Sequence, residues 1–299
     1  MAITADTDIL ASDFVGSSSG ASDSGKVAKL DALGKLLNDF LTVYTPVEVV
    51  MPPLPASTQS ATASGNGHAR IASDTNGSVI FLAEDLNNDS TTTIFRLEKD
   101  TKSGNYKITH STTLATTTAG GIRQVVVVGS YVYVFAVISG ANACRRYDKA
   151  DLANVTTMTF SGTSRADVGF TDGTNIFISD SSGSTYDKFT ISGTTLTNTG
   201  GVTFTSSSGL GATCDGTNVF IADSNGGTST YNIRKYALTG GAVISTTTFP
   251  LRNDVDLNAG YANLIMGNTE VLGMCWLYNT CSPTAIIGIR LHFYGITKP

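Results

Sequence analysis

The sequence predicts an all-β protein: a five-bladed β-propeller over residues 61–299, in five repeats of about 45 residues, behind an extended N-terminal assembly segment over residues 1–60. Three observations predict it. The first is composition. Of 299 residues only 14% are charged, while 41% are hydrophobic and 31 are Gly. Ser, Thr, Asn and Gly stand where a long-helix protein would carry Glu, Lys and Arg, and β-branched residues lie between turn formers.

The second observation is a repeat. Asp172-Gly-Thr-Asn-Ile-Phe-Ile-Ser-Asp180 returns 43 residues later as Asp215-Gly-Thr-Asn-Val-Phe-Ile-Ala-Asp223. Looser copies stand at Asn76–Leu82, Gly129–Phe135 and Gly267–Leu272. A second anchor keeps the same order: a basic residue before a large apolar one, at Arg96-Leu97, Arg146-Tyr147, Lys188-Phe189, Lys235-Tyr236 and Arg290-Leu291. Fixed periods of this length are the mark of repeat architectures.

The third observation is the grammar inside one repeat. Asp167–Thr171 reads as a strand, and Asp172-Gly-Thr-Asn175 as a tight turn in which Asp caps its own backbone and Gly supplies positive φ. Ile176–Ser179, Thr185–Ile191 and a Thr-rich run ending near Phe204 follow as three more strands. Four antiparallel strands in about 45 residues make a propeller blade. From Ala69 onward the chain resembles a β-propeller of general kind, without the WD dipeptide, kelch or Asp-box signatures. The last repeat runs out after its third strand, so a fourth is expected from upstream; Tyr44–Met51 and Thr58–Ala63 are the two candidates.

The other sequence features narrow the class. Net charge is −5, which disfavours a nucleic-acid binder. The longest apolar run, Val125–Ile138, is broken by Gly129-Ser130, so it reads as two buried strands and no membrane insertion is expected. Met1–Asp6 has neither a basic nor an apolar signal region. The expected location is therefore a virion or extracellular particle, with synthesis in the cytoplasm and no signal peptide. The four Cys (144, 214, 275 and 281) form no CxxC pair. Cys275 and Cys281 could face each other across a hairpin; buried free thiols are the preferred reading.

Residues 1–60 do not repeat. Gly25-Lys-Val-Ala-Lys-Leu-Asp-Ala-Leu-Gly-Lys-Leu36 resembles the short connector of bacteriophage tail-fibre and other virion proteins, and Asp8–Phe14 is similar to the start of many of them. The resemblance covers about 35 residues and implies attachment to a particle, with no catalytic residue. A helical reading stands beside the hairpin that it implies. Leu30, Leu33, Leu37 and Phe40 fall on an a/d seam. In either conformation these four side chains are the expected oligomerisation contacts, and a homo-oligomer, a trimer by preference, is the expected partner along with other virion proteins.

Candidate chemistry is sparse. His68, His110 and His292 fall at different places in different repeats, so no metal site is expected. Asp74, Asp167, Asp172 and Asp215 could imitate the carboxylates of a glycosidase, but the Asp-Gly turns account for Asp172 and Asp215. Asp85-Leu-Asn-Asn-Asp89 has alternating oxygen ligands but lacks the Gly and the final Glu of a calcium loop. No cofactor and no enzyme activity are expected. The basic–apolar pairs read as core residues with the basic side chain turned to solvent. The loops that depart most from the repeat are Glu84–Thr93, Ser139–Ala143, Ser224–Ser229 and Tyr278–Pro283. Trp276, Tyr278 and Asn279 are the ligand-binding candidates, because the only Trp beside a polar loop suits stacking on a sugar ring; a core Trp is the alternative. The sequence thus points to a virion structural protein whose propeller recognises cell-surface glycans. Its rivals are a filament or particle-lattice subunit and a carbohydrate-active hydrolase.

Overall fold

The structure is a computed structural model. It describes residues 14–15, 27–28, 47–50, 68–74, 77–85, 91–100, 106–115, 121–160, 168–179, 184–205, 211–224, 230–250, 263–266, 270–278 and 289–297. Every regular element among them is a strand, and none is a helix long and apolar enough to cross a membrane.

The chain forms two compact units, Met1–Thr45 and Pro46–Pro299. In the first, β1 (Phe14–Val15) and β2 (Val27–Ala28) pair in parallel. Val27–Ala28 lies inside the connector-like motif. Leu30, Leu33, Leu37 and Phe40 lie outside the described residues. The unit boundary at Thr45/Pro46 falls within the segment expected to end at residue 60.

The second unit begins with β3 (Val47–Val50) and continues through four meanders. The first is β4 (His68–Ser73), β5 (Val79–Asp85), β6 (Thr91–Lys99) and β7 (Tyr106–Ala115). The second is β8 (Ile122–Val128), β9 (Tyr131–Ile138), β10 (Ala141–Asp148) and β11 (Thr156–Phe160). The third is β12 (Val168–Thr171), β13 (Ile176–Ser179), β14 (Thr185–Ser192) and β15 (Thr195–Thr203). The fourth is β16 (Gly211–Cys214), β17 (Asn218–Ser224), β18 (Thr230–Ala237) and β19 (Ser245–Pro250). Then β20 (Asn263–Met266), β21 (Glu270–Tyr278) and β22 (Ile289–Thr297) form a sheet with β3 at its edge. Val47 stands opposite Phe293 and Val50 opposite Arg290, so the first of the two upstream candidates supplies the missing strand.

The first strands neighbour one another in a cycle: β4 with β8, β8 with β12, β12 with β16, β16 with β20, and β20 with β4. The fold is all-β and propeller-like. The second and third meanders merge into one eight-stranded sheet, because β11 pairs in parallel with β15 at Thr159–Thr195 and Phe160–Leu196.

Side-chain alternation explains why these strands stack. In β9, Val132, Val134 and Ala136 pack with Phe81, Ala83 and Ile94 of the first meander. Tyr133 and Phe135 point the other way and pack with Ile176, Ile178 and Phe189 of the third. Successive side chains of a strand face opposite ways, so a sheet buried on both faces must be apolar at every position. That is the physical origin of the Val125–Ile138 run. Each side chain so buried contributes roughly 1.5–3 kcal/mol. The next layer joins Phe170, Phe177, Tyr186 and Phe204 to Val219, Ile221 and Tyr236, and Phe170 stacks on Phe177 with ring centres 4.7 Å apart.

Candidate functional site

A cavity of about 450 Å3 lies against four of these first strands, lined from β4, β8, β12 and β16, from the turns that follow them, and by Lys149 of the turn between β10 and β11. This is within the range of small-molecule pockets. Its charged lining residues are Asp74, Lys149, Asp172 and Asp215.

The three carboxylates share a local cause. Oδ1 of Asp172 accepts hydrogen bonds from the Thr174 and Asn175 backbone N–H groups at 2.8 and 2.6 Å, and Oδ2 accepts from Asn175 Nδ2 at 2.9 Å. Asp215 repeats the arrangement with Thr217 and Asn218 at 2.9, 2.7 and 3.3 Å. The glycines after them take φ of 95° and 90°, open to Gly at no steric cost. Asp74 accepts from Val79 N–H at 3.2 Å and Ser78 Oγ at 2.9 Å. These carboxylates hold their own turns, as the repeated sequence indicates. Partial burial pushes the Asp172 pKa up, but the hydrogen bonds from Asn175 and Thr174 and the charge of Lys188 outweigh it and hold the carboxyl below its ordinary value. Asp167 lies outside the described residues.

Cys214 also lines the cavity. Burial, with the nearby charges of Asp215 and Asp172, pushes its thiol up to about 11 despite the Gly216 N–H bond to Sγ. A thiol held neutral at physiological pH is a poor nucleophile. Cys144 is buried, and burial pushes its pKa up as well. Both thiols are free; Cys281 lies outside the described residues.

The polar side chain deepest in the cavity wall is one that the sequence did not single out. Gln124 is 4% exposed. Its Nε2 donates to the Gly169 carbonyl at 2.8 Å, which ties β8 to β12. Beside it, buried Arg70 donates from Nε to the Arg123 carbonyl at 2.6 Å and ties β4 to β8. The ladder between β8 and β9 slips a register between Ile122 and Gln124.

The basic residues of the second anchor require a correction. Their apolar neighbours Leu97, Tyr147, Phe189 and Tyr236 are buried as expected, but Arg96 and Arg146 do not simply face solvent. Nε of Arg96 donates to the Lys149 carbonyl at 2.9 Å, and Nη1 of Arg146 donates to the Gly193 carbonyl at 2.7 Å. Each reaches the turn between third and fourth strands of the next meander. The guanidinium has donors to spare, and the carbonyl lies about 50 residues downstream, beyond local reading. Arg96 also bonds Thr109 Oγ1 at 2.7 Å. Arg146 also lies over the Tyr131 ring, 4.5 Å from its centre.

The candidate recognition residues are only partly placed. Trp276 and Tyr278 are strand positions in β21, opposite Leu291 and Ile289; Asn279 lies outside the described residues. The four divergent loops have a common topology. They include the connections β5–β6, β9–β10, β17–β18 and β21–β22, each joining a second strand to a third. Of Ser139–Ala143, only Ser139 and Gly140 form the turn, and Ala141–Ala143 belong to β10. His110 is exposed on β7, while His68 and His292 sit on β4 and β22. Among the described residues no group of three His, Cys, Asp or Glu side chains could hold a metal ion.

No protein-family model and no curated protein matches the chain. Solved structures that it resembles include TolB from Acinetobacter baumannii, at 12% identity over 75% of this chain and 54% of that one, with a TM-score of 0.41. A candidate 6-phosphogluconolactonase from Bacteroides uniformis matches at 12% identity over 76% and 84%, with a TM-score of 0.39. Kuenenia stuttgartiensis hydrazine synthase matches at 11% identity over 72% and 57%, with a TM-score of 0.38. The chain thus spans little more than half the length of hydrazine synthase and of TolB. At such scores these likenesses say nothing of chemistry.

Proposed function

We propose that this chain is a surface-recognition protein of a virus-like particle, in which residues 46–299 form a five-bladed propeller that binds cell-surface glycans without cleaving them. The observation that carries the non-catalytic reading is the commitment of Asp74, Asp172 and Asp215 to their own turns. A general acid must keep its proton near neutral pH, and the Asp172 carboxyl, held below its ordinary value, does not. Attachment to a particle rests on the connector-like motif of residues 25–36 and on the apolar seam at Leu30, Leu33, Leu37 and Phe40. A homo-oligomer makes weak single contacts useful, since linked sites gain about 10²–10⁴ in avidity when geometry allows.

The test compares the full chain with its Leu33→Ser, Leu37→Ser, Phe40→Ser variant on a glycan array and on host cells, with mass measurement of both. The full chain should bind as an oligomer, the variant should bind far less as a smaller species, and neither should release sugar. Released sugar would make the protein a hydrolase. Silence from both, with polymer formed by the full chain, would make it a lattice subunit.

A further inference from the structure

We propose that Asp215-Gly216 is a site of spontaneous covalent modification, where the backbone isomerises through a cyclic imide to isoaspartate, while the same step is restrained at Asp172-Gly173. The inference is independent of the glycan-recognition reading. An Asp-Gly pair is open to this chemistry because glycine has no side chain to keep its nitrogen from the preceding carboxyl. The Gly216 nitrogen attacks Cγ of Asp215, a C–N bond forms, and the carboxyl hydroxyl leaves with the amide proton as water. Water then adds to either carbonyl of the imide ring. Opening one way restores Asp. Opening the other way carries the main chain through Cβ and Cγ, so the backbone gains a methylene while the composition is unchanged.

Two turns of nearly one sequence make the comparison. Thr171-Asp-Gly-Thr-Asn175 and Cys214-Asp-Gly-Thr-Asn218 differ only in the residue before the Asp. In the first, the Gly173 N–H donates to Thr171 Oγ1 at 2.9 Å, and that hydroxyl donates onward to the Asn175 carbonyl at 2.8 Å. The attacking nitrogen is thus held by an acceptor that is itself fixed across the turn. In the second, the Gly216 N–H has the Cys214 sulfur at 3.2 Å instead. A thiol is a weak acceptor, so this amide is freer to give up its proton and attack.

The carboxyl groups differ in the same sense. Oδ2 of Asp172 accepts from Asn175 Nδ2 at 2.9 Å, and Oδ2 of Asp215 accepts from Asn218 Nδ2 at 3.3 Å. Asp172 is half-buried, whereas Asp215 is exposed to the water that the second step consumes. Burial raises the Asp172 pKa, but its bonds from Asn175 and Thr174 and the charge of Lys188 bring it below its ordinary value. An ionised carboxyl is the poorer target, because its oxygen leaves as water only once protonated. Isomerisation at Asp215 would carry the carboxylate away from the Thr217 and Asn218 N–H groups, now at 2.9 and 2.7 Å, and loosen the turn between β16 and β17.

The experiment stores the full chain in heavy-oxygen water at neutral pH and follows both turns by proteolysis and mass spectrometry. Each passage through the imide adds one heavy oxygen, and electron-transfer fragmentation separates isoaspartate from aspartate. Asp215 should react about fivefold faster than Asp172, the factor that one hydrogen bond of ordinary strength is worth. Cys214→Thr, which copies the first turn, should slow Asp215 by that factor, and Thr171→Cys should quicken Asp172; melting curves confirm that each variant folds. In denaturant the two sites of the parent should react at one rate, since the bonds of the turns are gone. Equal rates in the folded parent, faster reaction at Asp172, no label at Asp215, or an unchanged rate in folded Cys214→Thr would overturn the proposal. The same preference for Asp215 in denaturant would overturn it too, by placing the cause in the neighbouring side chain and not in the fold.

Discussion

The hub and the rim of the sheets obey different rules although they share the same strands and turns. Toward the hub β13 is buried at all four positions, β8 at five of seven and β9 at five of eight, with the rest half-buried. At the rim β11 buries only Met158, and β15 only Leu196. Hub strands are pressed from both faces and from neighbouring hub strands, so each side chain is constrained. These two rim strands keep one anchor apiece and carry exposed Thr, as at Thr157, Thr159, Thr197 and Thr199. The lesson is that strand positions keep apolar side chains where burial is complete and drift where it is not, while the partly exposed Asp-Gly-Thr-Asn turn returns unchanged because its own hydrogen bonds require those residues.

Breaking the hub's closure should have the largest effect. Replacing Val47–Val50 with Gly-Ser-Gly-Ser should lower the melting temperature by about 10 °C or more, given roughly 2–4 °C per kcal/mol for a domain of this size; an unchanged melt would show that β3 adds nothing to β22. Next comes a single hub side chain. Phe177→Ala should cost about 3–5 kcal/mol in denaturant unfolding, through a cavity beside Phe170. Removing a clasp between meanders should cost less: Arg146→Met should lose about 1 kcal/mol, with amide exchange quickening around Gly193.

The turn at Asp172 gives a pH signature. Its folded pKa lies below the ordinary carboxylate value, so its stabilisation is complete above the unfolded value near 4 and is lost as pH falls through the folded one. Asp172→Ala should therefore be less stable than the parent at pH 7, with the gap closing in acid; a constant gap would mean that packing, not charge, holds the turn. The rim should respond least. Thr199→Ala should stay within about 0.5 kcal/mol of the parent, and a larger loss would erase the contrast.

How much was legible follows the same contrast. Asp172-Gly-Thr-Asn175 is a local instruction, and the turn, its capping bonds and both flanking strands follow the reading closely. The Val125–Ile138 run betrays strands buried on two faces. The alternation of Val47, Val49 and Met51 makes Tyr44–Met51 one of two candidates for the closing strand, and the sequence does not choose between it and Thr58–Ala63. What escaped is non-local. Gln124 bonds the carbonyl of Gly169, 45 residues on. Arg96 and Arg146 depend on carbonyls 53 and 47 residues away, and a backbone carbonyl leaves no trace in the identity of its residue. The recognition candidates Trp276 and Tyr278 looked like loop chemistry because of the polar residues after them, yet their backbone belongs to a strand.

The pairing of Val50 with Arg290 also fixes an order of events during synthesis. The strand that completes this sheet leaves the ribosome before every other strand of its unit, and its partner emerges 240 residues later. Closing so long a loop carries an entropy that grows only as the logarithm of its length, so the delay weighs more on rate than on stability. Until β22 arrives, Val47–Val50 is an apolar edge without its partner, and β20 and β21 lack the neighbour that completes their sheet. Such edges invite pairing with other chains. The nascent protein is therefore vulnerable to aggregation until β22 has been made, and slowing the codons between β21 and β22 should lower the yield of folded protein more than the same delay placed after β22.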